Sequence, residues 1–294
     1  MGFLSTGVSD RCESLSGPPT GNMCRVLRSF QVTNHRSLAE PQELRLTRGN
    51  GPIATSVTAV YGAAATGKTG LVDALDRMRD AVLNSVTGWD PYSGPVRTPY
   101  LGFADRPSEF VAHFVAEGCP YTYGFRLGNA DVQAEWLHSH PHNRKRIVFE
   151  RAGDDIRIGP MFEAARDALY SRMVARRGVG LGLTHEGIDT AFDIADESTA
   201  TLAMLRLLPP MLDALDAGGV FAVDDIAANL TPEAADSLIQ LFQNPETNTH
   251  GAQLVFTTAN RTLIDRGNGR SQATRTTVWQ VRRTPDGTSE LTPQ

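Results

Sequence analysis

Two groups of residues have the types and spacing to do chemistry. The first is Gly62-Ala63-Ala64-Ala65-Thr66-Gly67-Lys68-Thr69, the pattern Gly-x-x-x-x-Gly-Lys-Thr. Its two glycines let the backbone curl, so that successive N–H groups point at phosphate oxygens. A helix starting just after the loop aims its positive end at the same oxygens. Lys68 can reach the outer phosphates as a point charge, and the Thr69 hydroxyl can ligate Mg²⁺. The second group is Asp224-Asp225, which closes the run Gly219-Val220-Phe221-Ala222-Val223. Asp224 is placed to hold Mg²⁺, directly or through water, and Asp225 to orient an attacking water. Alone, the pair reads more simply as a helix N-cap and a loop Asp. With a phosphate loop in the same chain, the site reading is the better one.

Such a loop needs a strand before it and a helix after it. Val57 to Tyr61 is a short β-rich apolar run. From Thr69 to Asn84, Leu71, Val72, Leu75, Met78, Ala81 and Val82 recur at helical spacing. The four apolar residues before Asp224 predict a strand buried on both faces, with the carboxylates at its C-terminal end. Ligands bind at that end in open α/β sheets. Thr231-Pro232-Glu233 predicts a helix start, with Thr as N-cap and Pro at N1, running to about Asn244. Gln253 to Thr258 reads as another buried strand. Thr276 to Arg282 reads as a last one, followed by a polar tail with the turn residues Pro285-Asp286-Gly287.

Upstream, Val26 to Thr33 and Glu43 to Leu46 read as strands, with Asn34-His35-Arg36-Ser37 between them. Arg36 could touch phosphate or stack on a base, or be a solvated loop residue. The Pro/Gly-rich stretch Thr87 to Pro107 is too irregular for an element and long enough for a functional loop. Alternation then begins at Ser108. Phe110, Ala112 and Phe114 share a face, Gly118 turns the chain, and Tyr121, Tyr123, Phe125 and Leu127 continue. Val132–His138, Arg146–Arg151 and Asp154–Ile158 extend this to an antiparallel meander of four or five strands. His138, His140 and His142, at period two, could meet a metal. Pro141 and the turn Asn143-Arg144-Lys145 favour an exposed hairpin instead. Met161 to Arg177 predicts an amphipathic helix whose polar face carries Arg166, Arg172, Arg176 and Arg177, a solvated face rather than a DNA patch. Gly178 to Gly187 reads as a break. Thr199 to Ala214 predicts a helix that kinks or restarts at Pro209-Pro210.

Composition narrows the class. At 294 residues, 40% apolar and 21% charged, the chain can bury a core as one large domain or two small ones. A net charge of −5 argues against a general nucleic-acid coat, so DNA contact would need a local basic patch. Cys12, Cys24 and Cys119 have no metal spacing, and so sparse a set suits a reducing cytoplasm. No apolar run approaches a membrane span. Residues 1–25, rich in Gly, Ser, Thr and Pro, read as a disordered leader without the apolar core of a secretory signal. Met1-Gly2 with Thr6 fits the loose N-myristoylation pattern, which is short enough for coincidence. Met23 is a candidate alternative start.

Several segments together resemble ABC-type ATPase heads of the SMC-like and OLD-like branch. More narrowly, they resemble bacterial AAA-type-core ATP/GTP-binding proteins found near phage-defence and abortive-infection genes. The carriers are FQVTNHRS (Phe30 to Ser37), VYGAAATGKT, PSEFVAHFV (Pro107 to Val115), the YTYGFRL run, EWLHSHP, ESTATLAMLRLLPPMLDAL (Glu197 to Leu215), the Asp224-Asp225 strand and ETNTHGAQLVFTTAN (Glu246 to Asn260). The resemblance implies an α/β P-loop NTPase with a mixed sheet, an inserted antiparallel β-lobe and a shortened helical lobe. Residues 26–294 would form one head: β-lobe about 108–158, helical and signature segment about 159–215, Walker-B half 216–294. Two heads, identical or partnered, would sandwich ATP and Mg²⁺ between the phosphate loop of one and the signature of the other. Gly62 to Thr69 would bind the nucleotide with Arg36 and Ser198. Thr69 and Asp224 would hold the metal, and Lys68 and Asp225 would be catalytic.

Departures from the family pattern fall on turnover. Asp225 stands where the family has Glu, one methylene longer. Ala200 replaces the Gly of a Ser-x-Gly-Thr signature, where a methyl hinders approach to the γ-phosphate. Ala259 replaces a His that senses that phosphate. Losing one positioned group costs about 10²–10³ in rate. The expectation is an ATP-binding head with slow hydrolysis. The rivals are a pseudo-ATPase that regulates a partner, a small-molecule or nucleoside kinase, and a DNA-associated head.

Overall fold

A computed structural model describes residues 26–48, 54–84, 97–129, 132–153, 155–159, 199–228, 230–268 and 276–294. The predicted Met161–Arg177 helix, the glycine-rich break, Ser198, Cys12 and Cys24 lie outside these residues, as does most of the expected helical lobe. The strands are β1 (Val26–Thr33), β2 (Gln42–Arg45), β3 (Val57–Tyr61), β4 (Ser108–Ala116), β5 (Cys119–Leu127), β6 (Val132–Ser139), β7 (Arg146–Ala152), β8 (Asp155–Ile158), β9 (Val220–Val223), β10 (Gln253–Thr258), β11 (Thr276–Arg283) and β12 (Ser289–Pro293). The helices are α1 (Lys68–Asn84), α2 (Thr199–Ala217), α3 (Pro232–Gln243) and α4 (Arg261–Asn268).

The chain is α/β, built on two sheets. A seven-stranded antiparallel sheet runs β2-β1-β4-β5-β6-β7-β8, and a five-stranded mixed sheet runs β12-β11-β3-β10-β9. The meander β4–β8 therefore does not stand alone. β1 and β2, which precede the phosphate loop, complete its sheet through the β1–β4 pairing. In the mixed sheet β3 is central, parallel to β10 on one side and to β11 on the other.

α1 lies between the sheets. Leu71, Ala74, Met78 and Ala81 pack with Phe30, Val32, Phe110 and Phe125 from the antiparallel sheet and with Val60 and Val255 from the mixed one. The opposite face of the mixed sheet, including Val57, Ala59, Leu254 and Phe256, is covered by Met211 and Leu215 of α2, Leu238 and Phe242 of α3, and Leu263 of α4. Successive residues of β3 and β10 thus enter opposite cores, which explains their unbroken apolar runs. Burying each Leu, Val or Phe side chain stabilises the fold by about 1.5–3 kcal/mol. Gln253 stitches the sheets. Its Oε1 accepts from Leu27 N at 2.8 Å, and its Nε2 donates to Leu27 O at 2.9 Å.

Four expectations are corrected. β9 is not buried on both faces. It is the edge strand among the described residues, Val220 is 41% exposed, and Ala222 is half-buried. α2 does not restart at Pro209-Pro210, which both lie inside one helix. Both rings are exposed, so carbonyls that lose N–H partners there can turn to water. The polar tail is a strand: β12 pairs antiparallel with β11 around the predicted turn. The loop before β4 holds a 3₁₀ turn, Leu101–Phe103. Among the described residues no helix is long and apolar enough to cross a membrane.

Candidate functional site

β3 delivers the chain to Gly62, and α1 starts at Lys68, so strand, loop and helix follow in the required order. Steric limits explain the glycines. A Cβ on Gly62 would sit 2.6 Å from both Thr66 Oγ1 and Val281 O. Gly67 adopts φ +103°, and a Cβ there would clash with Ser289 and meet Ser37 Oγ at 2.7 Å. Ala63, Ala64 and Ala65 are exposed at the loop tip, and Ala65 has φ +61°. Lys68 is buried. Its Nζ donates to Gly62 O at 2.8 Å and Ala63 O at 2.7 Å, closing the loop on itself. Thr66 Oγ1 donates to Ala63 O at 2.9 Å. Thr69, in the first turn of α1, is exposed.

Asp224 and Asp225 follow β9 directly and are both exposed. β10 lies between β9 and β3, and its Thr257 organises the pair. The Thr257 hydroxyl donates to Asp224 Oδ1 at 2.6 Å and accepts from Asp225 N at 2.8 Å. Asp225 sits in the left-handed region, φ +44°. Ala259, just past β10, is exposed. A hydroxyl and a carboxylate, the donor types of Thr69 and Asp224, suit a hard cation, with phosphates and water for the remainder. Such a site needs no protein cage, and among the described residues no group of three His, Cys, Asp or Glu side chains is assembled.

Arg36 lies beside the start of α1. A Cβ on Gly70 would be 3.7 Å from Arg36 Cβ and 3.8 Å from its Cδ. Its guanidinium forks onto Asp73 of α1, Nε to Oδ2 at 2.9 Å and Nη2 to Oδ1 at 2.8 Å. His35, 0% exposed, places Nε2 2.7 Å from the same Oδ2. Burial pushes the Asp73 carboxyl up, but hydrogen bonds from Arg36 and His35 outweigh it and hold it below the usual carboxylate value. Burial pushes the His35 imidazole down against the pull of Asp73. A neutral ring donating from Nε2 satisfies this geometry.

Sequence reasoning missed the roles of His35, Asp73, Asn34, Thr257 and Ser289. Asn34, at φ +54°, donates from Nδ2 to Phe103 O at 2.9 Å and Arg106 O at 2.7 Å, and its Oδ1 accepts from Tyr100 N at 3.0 Å. Buried Arg97 braces the same loop, donating to Arg106 O at 2.7 Å. Ser289 Oγ donates to Thr66 O at 2.7 Å, and exposed Arg283 donates to Ala65 O at 3.1 Å, so the β11–β12 hairpin backs the loop. Two threonines ending an otherwise apolar strand were the one available signal, for Thr257. The three histidines do not converge. His138 binds Glu150 Oε1 at 2.8 Å, His140 bonds Thr122 Oγ1 at 3.0 Å, and His142 sits in a 3₁₀ turn at φ +52°.

The family described as "AAA domain, putative AbiEii toxin, Type IV TA system" matches residues 57–170 and 164–265, more than half of the chain. The chain belongs to this family. It is therefore an AAA-type domain with the P-loop core of a nucleotide-binding ATPase. The matched residues contain β3, the phosphate loop, α1, both aspartates and β10. No curated protein matches the chain. Solved structures are also similar. That of the recombination mediator protein RecF-ATP in the RecFOR pathway is 17% identical, covering 44% of this chain and 30% of that one, at a TM-score of 0.26. The chain thus spans less than a third of that protein, and so small a likeness decides neither fold nor function.

Proposed function

We propose that this AAA-type domain is an ABC-type ATPase head. It binds ATP with Mg²⁺, associates with a second head, identical or partnered, in the nucleotide-bound state, and hydrolyses ATP slowly. The observation that carries this is Lys68. Its ammonium is turned into its own loop, on the Gly62 and Ala63 carbonyls, where incoming phosphates would take those carbonyls' place. The N–H groups of Gly62 to Thr69 and the end of α1 would cradle the phosphates. Thr69 and Asp224 would hold Mg²⁺, which when bound neutralises charge developing on the phosphates. Asp225 would orient the attacking water. Ser198 and its neighbours would form the signature that meets the partner's nucleotide. The family description, with its putative toxin and type IV TA system, is in keeping with a toxin–antitoxin setting, and a cytoplasmic place in phage defence is part of the same proposal. The mildly acidic charge gives DNA no support.

A second reading is favoured by the site's own departures: a nucleotide-sensing regulatory subunit without turnover. Asp225 is short and starts from a left-handed backbone, and Ala259 stands where the resemblance leads one to expect a His. One experiment separates the two. ATP binding and phosphate release are measured with Mg²⁺ for wild type, Lys68→Ala and Asp225→Glu. Binding with turnover, both lost in Lys68→Ala, supports the ATPase. Binding without turnover, unrescued by Asp225→Glu, supports the sensor. Wild type that binds no ATP overturns both.

A further inference from the structure

We infer that Asp73, backed by buried His35, is the positioning residue for Arg36 and aims its guanidinium at the phosphates of the bound nucleotide. This rests on the reading of Arg36 as a nucleotide contact. A guanidinium is a planar fork with five N–H donors. Asp73 takes the edge made by Nε and Nη2, at 2.9 and 2.8 Å. The other end, at Nη1, keeps its donors for a second anion. The fork is fixed from three directions. Its stem lies along the first turn of α1 at Gly70. Its backbone is held at φ +51° with Arg36 N donating to Thr98 O at 2.7 Å. The carboxylate is itself held by His35, which is 0% exposed, packs edge-on against Phe110 at 5.4 Å between centroids, and cannot swing away.

Asp73 sits on the same helix as Lys68 and Thr69, between one and two turns further on. A carboxylate so near a polyphosphate site is costly by Coulomb's law alone. Its presence is explained if what it gains is the direction of Arg36. Rotamer freedom of a long cation is lost before the nucleotide arrives rather than on binding.

The charge argument and the positioning argument predict opposite signs, which makes the test decisive. The full chain is titrated with ATP and Mg²⁺ by calorimetry, as wild type, Lys68→Ala, Arg36→Ala, Arg36→Lys, Asp73→Asn and Arg36→Ala/Asp73→Asn. Arg36→Ala weakens binding about tenfold, and Asp73→Asn weakens it about three- to tenfold, consistent with one charge-assisted contact. The double variant is no weaker than Arg36→Ala, because Asp73 acts through Arg36. Arg36→Lys keeps the charge, cannot fork, and loses as much as Arg36→Ala. Asp73→Asn binding ATP equally or more tightly overturns the proposal, as does full additivity in the double variant. Should Asp73→Asn not fold, wild-type affinity in Arg36→Lys overturns it. Loss of binding in Lys68→Ala with none in Arg36→Ala sinks the proposal and leaves the loop's role standing. No loss in Lys68→Ala sinks both.

Discussion

Thr257 and Asp224 come from neighbouring parallel strands, and the Thr257 hydroxyl donates to the Asp224 carboxylate at 2.6 Å. The same oxygen accepts the Asp225 N–H, so one buried hydroxyl sets both the direction of the first acid and the backbone of the second. Thr257→Val keeps the shape and removes both bonds. It is expected to destabilise the fold by about 1–2 kcal/mol in denaturant unfolding, with a loss of any Mg²⁺-dependent turnover, while Thr257→Ser retains both. Equal stability in all three would show that the hydroxyl holds nothing.

Gly67 should tolerate no side chain. Gly67→Ala adds left-handed strain of about 1–2 kcal/mol to a clash with Ser289 that costs about 1–3 kcal/mol. Ser289→Ala in the same chain removes the worst contact, with Ser289 Oγ, but leaves Ser37 Oγ at 2.7 Å, Ser289 Cβ at 2.9 Å and the strain. Unfolding curves are therefore expected to rank wild type first, the double variant next and Gly67→Ala last.

Asn34 pins the loop before β4 by donating to carbonyls. Asn34→Asp keeps its size and its tolerance of positive φ, but turns the donor into an anion facing Phe103 O and Arg106 O. A loss of about 2–3 kcal/mol is expected. Limited proteolysis should then cut within residues 97–107 sooner than in wild type, and an unchanged cutting pattern would contradict the pinning role.

Acid should weaken the fold in a window set by histidines. Burial holds His35, His113 and His140 below their ordinary value. The unfolded chain binds these protons first, as pH falls through about 6.5, whereas the folded chain resists them. Stability is therefore full above that pH and declines as pH drops toward the lowered folded values. Asp73, held below its ordinary value, adds a loss of the same sign further down, beginning near pH 4. Denaturant midpoints at pH 7.5 and 5.5 should fall for wild type and fall less for His113→Gln/His140→Gln. A flat or rising midpoint would be the wrong sign.

What the sequence disclosed follows from which forces are local. β1, β3 and β10 occupy the predicted bounds, because alternation or an unbroken apolar run is written into consecutive residues. The phosphate loop is equally local. α4 and β12 escaped notice because Arg261–Asn268 and Ser289–Pro293 carry too few apolar residues for a period. Val220-Phe221-Ala222-Val223 reads alike as a central or an edge strand, since nothing in a run of four states who its neighbour is. Asp73 and Arg36 lie 37 positions apart, and their pairing exists only once α1 has docked between the sheets.

Val57, the first residue of the phosphate-loop strand, is paired with Leu254 on one side and Thr276 on the other. Both partners leave the ribosome long after the loop itself. During synthesis β3 and its apolar residues wait with hydrogen-bonding edges open on both sides, a template for pairing with another chain. Fragments that stop short of residue 253 are expected to collect in insoluble aggregates. The strand that presents the phosphate loop is covered on both edges only after β11, more than 200 residues further along the chain, has been made.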